Sequence, residues 1–373
     1  MTKSMSINQG ALSSQMIHDL ITKGHIVHAN IKNIQPASLD LTLSEEVYRV
    51  DALFLPKDDE KVREAMTKVN PIRFARDGVY EVGVPYLARL NETLNLPSEI
   101  YAYANPKSTT GRNDVKVSLI VDGISRFDSA GKRGFVGELW AFIEPKSFRV
   151  QLPVNETLVQ MRFFSKDTRI SEEELPSFYD QHKILFDSSS RYIPYDALKI
   201  SDRDGGVILT VNLKNDIVGY VCHGSHSVLD FAKRNHYDPA DFFEPIVRPS
   251  KGMLFLRKGS FYILYTDEYV RVPTNFACEM APVDIRNGEF RSHYAGFIDP
   301  GWGYGERGDV KGKPLVLEVR PFDDNIMIYH GQPICKLVFE RMSEVPHVIY
   351  GAGSGSHYFS QEGPRLSKHF KIS

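Results

Sequence analysis

Apolar residues in this chain recur mostly at alternate positions or in short runs, and rarely at the three-to-four spacing of a helix. Ser38–Val50, Val117–Val121, Phe135–Ile143, Leu254–Tyr265 and Leu315–Val319 are rich in β-branched and aromatic residues and are separated by Gly, Pro and Asn, so they read as strands. Few helices are predicted. Gln15–Thr22 follows a Ser13-Ser14 cap and places Ile17, Leu20 and Ile21 on one face, and Ser227–Asn235 is the second candidate. Ile170–Gln181 is acidic, with Pro176 at its centre, and reads as a helical or extended connector. The pattern predicts a mainly β protein with a few short helices.

Part of that pattern occurs twice. Leu87–Pro106 and Ile263–Pro282 share an apolar strand, a turn with Asn or Asp followed by Glu, then Val/Leu-Pro and a second strand. Pro97 falls on Pro273 and Pro106 on Pro282, and the same spacing sets Pro145 on Pro321 and Leu158–Phe164 on Ile334–Glu340. A constant spacing points to a tandem duplication, and the length of 373 residues suits two domains. The expected division is residues 1–188 and 189–373.

Composition narrows the function. The chain is 42% hydrophobic and 25% charged with a net charge of −2, so no general basic excess favours polymeric nucleic acid, and an anionic ligand has to be held by local charge. No apolar run approaches the ~20 residues of a membrane span, and MTKSMSINQGALSS lacks a signal-peptide core. Three cysteines, Cys222, Cys278 and Cys335, are too few and too scattered for a disulfide framework. A cytoplasmic location is expected.

Four segments carry candidate chemistry. Ile298-Asp299-Pro300-Gly301-Trp302 reads as a tight turn, and the apolar residues around Glu318 read as a buried strand, which places a carboxylate where a core seldom accepts one. The plain alternative is an edge strand with Glu318 in water. Lys107-Ser108-Thr109-Thr110-Gly111-Arg112 gathers cations, hydroxyls and backbone donors as polyphosphate binding requires, although the same residue types also make ordinary surface turns. Gln35-Pro36-Ala37-Ser38-Leu39-Asp40-Leu41 opens the first half, and Ser356-His357-Tyr358 through Gln361 and Gly363 lies in the tail.

Taken in chain order, these segments resemble the motifs of the dCTP deaminases, relatives of the trimeric dUTPases. That family has a Gln-Pro-x-Ser-x-Asp-like strand, an Arg-Ser-Ser-x-x-x-Arg loop, an Ile-Asp-Pro-Gly turn leading to a catalytic Glu, and a closing Tyr-x-x-Gln-x-Gly segment. The resemblance implies two tandem dUTPase-like distorted β-barrels of the β-clip or jelly-roll kind, the first keeping the phosphate loop and the second the Glu and the tail. It implies Glu318 as general base for water attack at C4 of cytosine, with Ser108 and Arg112 holding the water and orienting the Glu. Lys107, Ser108, Thr109, Arg112, Asp299, Tyr358, Gln361 and Gly363 are the implied ligand-binding residues, and Asp40 and Ser38 rank behind them. Mg²⁺ is expected on the triphosphate, dTTP is a possible inhibitor, and a homo-oligomer with sites between barrels is expected.

The chain departs from the family pattern in places. Lys107 stands where an Arg is usual, which keeps the charge but loses the bidentate fork. His357 stands where a Lys is common. The spacing that relates Pro97 to Pro273 sets Phe142 opposite Glu318, Asp284 opposite Ser108 and Gly288 opposite Arg112, so neither half carries both the base and the loop. Counting back from Asp299 instead brings Arg286 to the Arg position, which leaves Arg112 and Arg286 both open as the site arginine. Zinc is not expected: zinc nucleobase deaminases use His-x-Glu and Pro-Cys-x-x-Cys, both absent, and Cys222-His223-Gly224-Ser225-His226 fits no standard zinc spacing. Beside the deaminase stand two other readings: a dUTPase or bifunctional enzyme carrying dCTP to dUMP, and a silent nucleotide sensor.

Overall fold

The computed structural model describes residues 9–372 apart from 76, 202–203, 284–289, 292–295, 306, 352–357 and 359. Two halves repeat one antiparallel plan. In the first, Ile72–Arg73, Leu43–Arg49, Tyr86–Asn95, Val136–Pro145 and Val115–Val121 pair in that order, with Ile26–Val27 also on Tyr86–Asn95. A second sheet orders Leu39–Leu41, Val159–Phe164, Tyr101–Pro106 and Ser129–Ala130, and the inward residues of both sheets share one core. The second half repeats this with Tyr262–Val270 and Lys313–Pro321 central to one sheet, and Val207–Thr210, Pro333–Arg341 and Phe276–Pro282 in the other.

The constant spacing of the sequence repeat survives as hydrogen-bond register. Leu87 faces Phe142 and Ile263 faces Glu318. Val159 faces Pro106, and Cys335 faces Pro282. Even a buried polar device is duplicated: Glu92 accepts from Thr42 N at 2.9 Å and Thr42 Oγ1 at 2.8 Å, while Glu268 accepts from Thr210 N at 2.8 Å and Thr210 Oγ1 at 2.7 Å. Each carboxylate sits within a stretch where its strand's register shifts against the next strand, and it satisfies a backbone N–H and a hydroxyl on a different neighbour.

The first helix, Ser14–Thr22, lies where the sequence places it, capped by Ser13 Oγ accepting from Met16 N and burying Ile17 and Leu20. The helix expected over Ser227–Asn235 does not form. Leu229 and Phe231 are buried while Asp230 between them is not, an alternation that belongs to a strand, and Leu229–Asp230 pairs parallel with Val150–Gln151 of the first half. In the connector the helix is Leu175–His182, so Pro176 falls in its first turn, where a missing N–H costs nothing. Leu175, Phe178 and Tyr179 pack in the second half's core, and Leu185–Phe186 pairs with Tyr262–Val270.

The halves are packed on one another. Phe231, Phe242, Phe243, Ile263, Val316 and the tail residue Phe370 join the first half's core, with Phe148 edge-on to Phe242 and Phe243. Arg162, fully buried on the first-half strand Val159–Phe164, donates from Nη1 to Glu340 Oε1 at 2.6 Å and Cys278 O at 3.3 Å, and from Nη2 to Ile298 O at 3.4 Å. One first-half cation thus serves three second-half strands, including the one that runs into Asp299.

Candidate active site

A cavity of about 450 Å³ opens between the halves, and it gathers residues from every segment singled out in the sequence. Lys107, Ser108, Thr109 and Arg112 reach it from the first half; Asp299 and Glu318 from the second; Tyr358 and Gln361 from the tail. Gln35 and Asp40 line it too. Ser38 is buried, its Oγ 3.5 Å from Oε1 of the lining residue Gln160. Gly363 instead lines a neighbouring cavity of about 350 Å³ that shares Tyr358 and Gln361 with the first. Arg286, Asp284, Gly288, Ser356 and His357 lie outside the described residues.

Glu318 is 2% exposed, in the middle of the apolar strand Lys313–Pro321. Leu315 and Val316 of that strand, with Ile298 and Trp302 around the Asp-Pro-Gly turn, form apolar wall beside it. The turn owes its shape to Gly301, at φ +93, where a Cβ would meet Ile349 and Tyr350 at 3.0–3.1 Å.

Lys107–Arg112 is not an open loop: Ser108–Arg112 is a single helical turn that follows directly on the strand Tyr101–Pro106. Arg112 is consequently buried rather than extended into solvent. Its Nη2 donates to Gln361 Oε1 at 3.0 Å, its Nη1 to Arg365 O at 3.1 Å, and its guanidinium lies 3.8 Å from the centre of the Tyr358 ring. Loss of water pushes the proton affinity of Arg112 down, and the nearby Tyr358 and Glu318 side chains pull it back up. Thr109 Oγ1 meets Tyr358 OH at 2.9 Å, and Gln361 Nε2 donates to Pro314 O at 2.8 Å. The tail therefore bridges the first half's helical turn and the strand that carries Glu318.

Two acids complete the floor. Asp299 is pushed up to about 6 by burial, against the pull of Arg162, whose Nη2 lies 3.7 Å away. Asp40 pairs with Lys107, which also donates to Thr157 Oγ1 at 2.9 Å. Among the described residues Asp40 Oδ1 and Asp299 Oδ1 are buried and accept no hydrogen bond, so each has capacity for a ligand N–H or O–H or a hard cation, although Asp299 Oδ1 already has the Arg162 charge 3.7 Å away. No three His, Cys, Asp or Glu side chains gather as a metal site among the described residues.

The sequence reading missed several lining residues. Lys32, Arg234 and Lys368 add cations, and Glu156 adds an acid. Burial lowers the proton affinity of Lys368 and raises that of Glu156, and each draws the other back. Arg234 was hidden because its segment reads as a helix, and Lys368 because it follows the family-like tail motif by several residues. Trp302 was visible in the turn; its Nε1 has no hydrogen-bond partner among the described residues.

Comparison with known proteins adds to this geometry. Family models described as the 2'-deoxycytidine 5'-triphosphate deaminase N-terminal domain and C-terminal domain match residues 8–167 and 171–370. Among curated proteins, "dCTP deaminase, dUMP-forming" of Dictyoglomus turgidum is 25% identical over 205 residues, 53% of this chain and 93% of the relative. Its counterpart of the same name in Methanobrevibacter smithii is 27% identical over 139 residues, 36% of this chain and 67% of the relative. The crystal structure of 2'-deoxycytidine 5'-triphosphate deaminase from Agrobacterium tumefaciens superimposes with a TM-score of 0.82 at 32% identity, covering 93% of this chain and all of that one.

Proposed function

The chain belongs to the dCTP deaminase family, and from that premise we propose that it hydrolyses dCTP to dUTP and ammonia with Glu318 as the general base. The observation that carries this reading is the meeting in one cavity of a buried second-half carboxylate with the first half's Lys107–Arg112 segment. Neither half alone holds both.

Glu318 takes a proton from a water that attacks C4 and delivers it to N3. The C4 hydroxyl then gives up its proton as the C4–N4 bond breaks, so the amino group leaves as ammonia and a uracil ring remains. Ser108 positions the water, and Arg112 orients Glu318 and favours its ionised form. Leu315, Val316, Ile298 and Trp302 exclude other water from the ring. Lys107, Thr109, Lys32, Arg234 and Lys368 supply charge and hydroxyls for the triphosphate, and Tyr358 and Gln361 cover it. Asp299 and Asp40 have oxygens that suit a magnesium ion arriving with the nucleotide. An ion held there would neutralise part of the polyphosphate charge.

A second reading is suggested by the names of the curated relatives, which are described as dUMP-forming. In that case the same site also cleaves between the α- and β-phosphates and releases pyrophosphate. One incubation with dCTP and Mg²⁺ separates the two. Ammonia with dUTP supports the deaminase, ammonia with dUMP and pyrophosphate the bifunctional enzyme, and loss of both products in Glu318→Gln the assigned base. Tight nucleotide binding without turnover of dCTP or dUTP would replace both by a sensor. Self-association, inhibition by dTTP and a cytoplasmic setting belong to the same proposal; light scattering, added dTTP and cell fractionation read them. No helix among the described residues is long and apolar enough to cross a membrane.

A further inference from the structure

Two positions beyond Arg112 the chain reaches Asp114, and two positions beyond Glu318 it reaches Arg320. Asp114 is completely buried and sits at φ +52, a left-handed conformation that a non-glycine residue adopts only when its surroundings hold it there. Contacts from both halves hold it. Asp114 N donates to Gly111 O at 2.8 Å, Lys146 N donates to Asp114 O at 2.9 Å, and Ser147 Oγ donates to Asp114 Oδ2 at 2.5 Å. Across the gap between halves, Arg320 Nη2 bonds Asp114 Oδ2 and reaches Ser147 Oγ at 3.0 Å.

Strand side chains alternate, so Glu318 and Arg320 point to the same side of Lys313–Pro321, toward the first half. The two arms are equally long. Arg112-Asn113-Asp114 and Glu318-Val319-Arg320 each carry one residue lining the cavity and, two positions on, one residue of the ion pair. The arrangement is specific to the half that has the Glu. In the repeat that sets Phe142 opposite Glu318, the counterpart of Arg320 is Glu144, which pairs within the first half with Lys146.

We propose that Asp114 and Arg320 form a latch between the halves that holds the Ser108–Arg112 turn in register with Glu318, making both of them positioning residues for the reaction. The assignment rests on the reading of Glu318 and Arg112 given above. Its physical basis is that water, base and ring must align within a fraction of an ångström, while the groups that align them come from two separate halves. An ion pair that only glued the halves together could stand anywhere on their interface; this one stands two positions from each side of the chemistry.

The test compares the full chain with Arg320→Met, Arg320→Lys, Asp114→Asn and the double variant Asp114→Asn/Arg320→Met, by dCTP turnover and by amide hydrogen exchange of residues 107–114. For Arg320→Met, kcat is expected to fall on the order of 10- to 100-fold while KM changes less, since a misplacement of about 1 Å carries a cost of that size. Arg320→Lys should recover part of the loss. The double variant should be no slower than Arg320→Met, because the interaction is already gone. Exchange at 107–114 should accelerate at least tenfold, and this readout holds whether or not the parent turns over dCTP, so failure of the deaminase reading is seen separately as a parent without ammonia release. If Arg320→Met does not fold, Arg320→Lys carries both readouts. Folded variants with unchanged exchange at 107–114, or with kcat within twofold of an active parent, would overturn the latch.

Discussion

Phe142 and Glu318 occupy the same station in two copies of one fold. Each lies on an interior strand of its half, opposite Leu87 and Ile263 respectively, and those two partners are related by the same spacing as Phe142 and Glu318 themselves. The surroundings have diverged with them. Phe142 meets Phe54 edge-on at 5.2 Å and packs with Val50, Val62, Met66 and Trp140, whereas Glu318 opens into the cavity between the halves.

That divergence makes restoring the acid in the first half costly. Phe142→Glu removes an aromatic side chain from a closed apolar cluster and buries a carboxyl there, so a loss of about 3–5 kcal/mol in unfolding free energy is expected. Urea denaturation checks it, with Phe142→Leu as the control for packing alone. A Glu variant as stable as the Leu variant would mean that water reaches the position, contrary to the packing described.

The tail yields a second prediction. Gln361 accepts from Arg112 and donates to Pro314 O, so Gln361→Ala removes one tie of the tail to each half while leaving those of Tyr358 to Thr109 and of Arg365 O to Arg112. Limited proteolysis within the tail should become faster, and the dissociation constant for dCTP should rise about tenfold, as loss of hydrogen bonds to a charged group suggests. Gln361→Glu gives up the bond to Pro314 O but adds charge complementarity to Arg112, and it should protect the tail better than Gln361→Ala. Equal cleavage of all three proteins would show that other contacts hold the tail.

How much of this was legible in the sequence depends on the type of signal. The strands and the duplication could be read because alternation and a fixed spacing of prolines are local or periodic features, and the register of Leu87 with Phe142 and of Ile263 with Glu318 follows that spacing. The segments that converge on the cavity could be read from family-like motifs. Residues placed only by the docking of the halves could not. Arg162 is an ordinary strand residue in sequence, and only the apposition of Val159–Phe164 with the second half reveals its buried partners. Leu229-Asp230-Phe231 failed as a helix for the same reason: their alternation serves Val150–Gln151, a neighbour far back in the chain.

Asp299 predicts a pH dependence. Burial raises its carboxyl from the usual 3.8 to about 6, so between those values the folded chain keeps a proton that the unfolded chain has lost. The sign follows by linkage: this group favours the folded state at low pH, and its contribution is lost as pH rises through about 6. Asp299→Asn has no proton to lose. Its melting temperature relative to the parent should climb by a few degrees between pH 4.5 and pH 7, corresponding to roughly 2 kcal/mol. A difference that stays constant across that range would show that Asp299 is ionised throughout.

Arg162 is the partner that makes this acid tolerable, and its removal should be as damaging as Phe142→Glu. The side chain is fully buried between Glu340 and Asp299, and burial raises both carboxyls while Arg162 opposes that rise. Arg162→Met keeps the length and apolar stem of the side chain but leaves Glu340 and the carbonyls of Cys278 and Ile298 without their donor and Asp299 without the counter-charge 3.7 Å from it. Breaking one side of a buried charge network costs about 3–5 kcal/mol, more than the net worth of the intact network. A second substitution should therefore help rather than hurt. Glu340→Gln in the Arg162→Met background removes one of the stranded charges and should return part of the lost stability, while Glu340→Gln alone should destabilise. Chemical denaturation of the four proteins forms a complete cycle. Additive losses would show that Arg162 and Glu340 act independently and that their pairing does not couple the two halves.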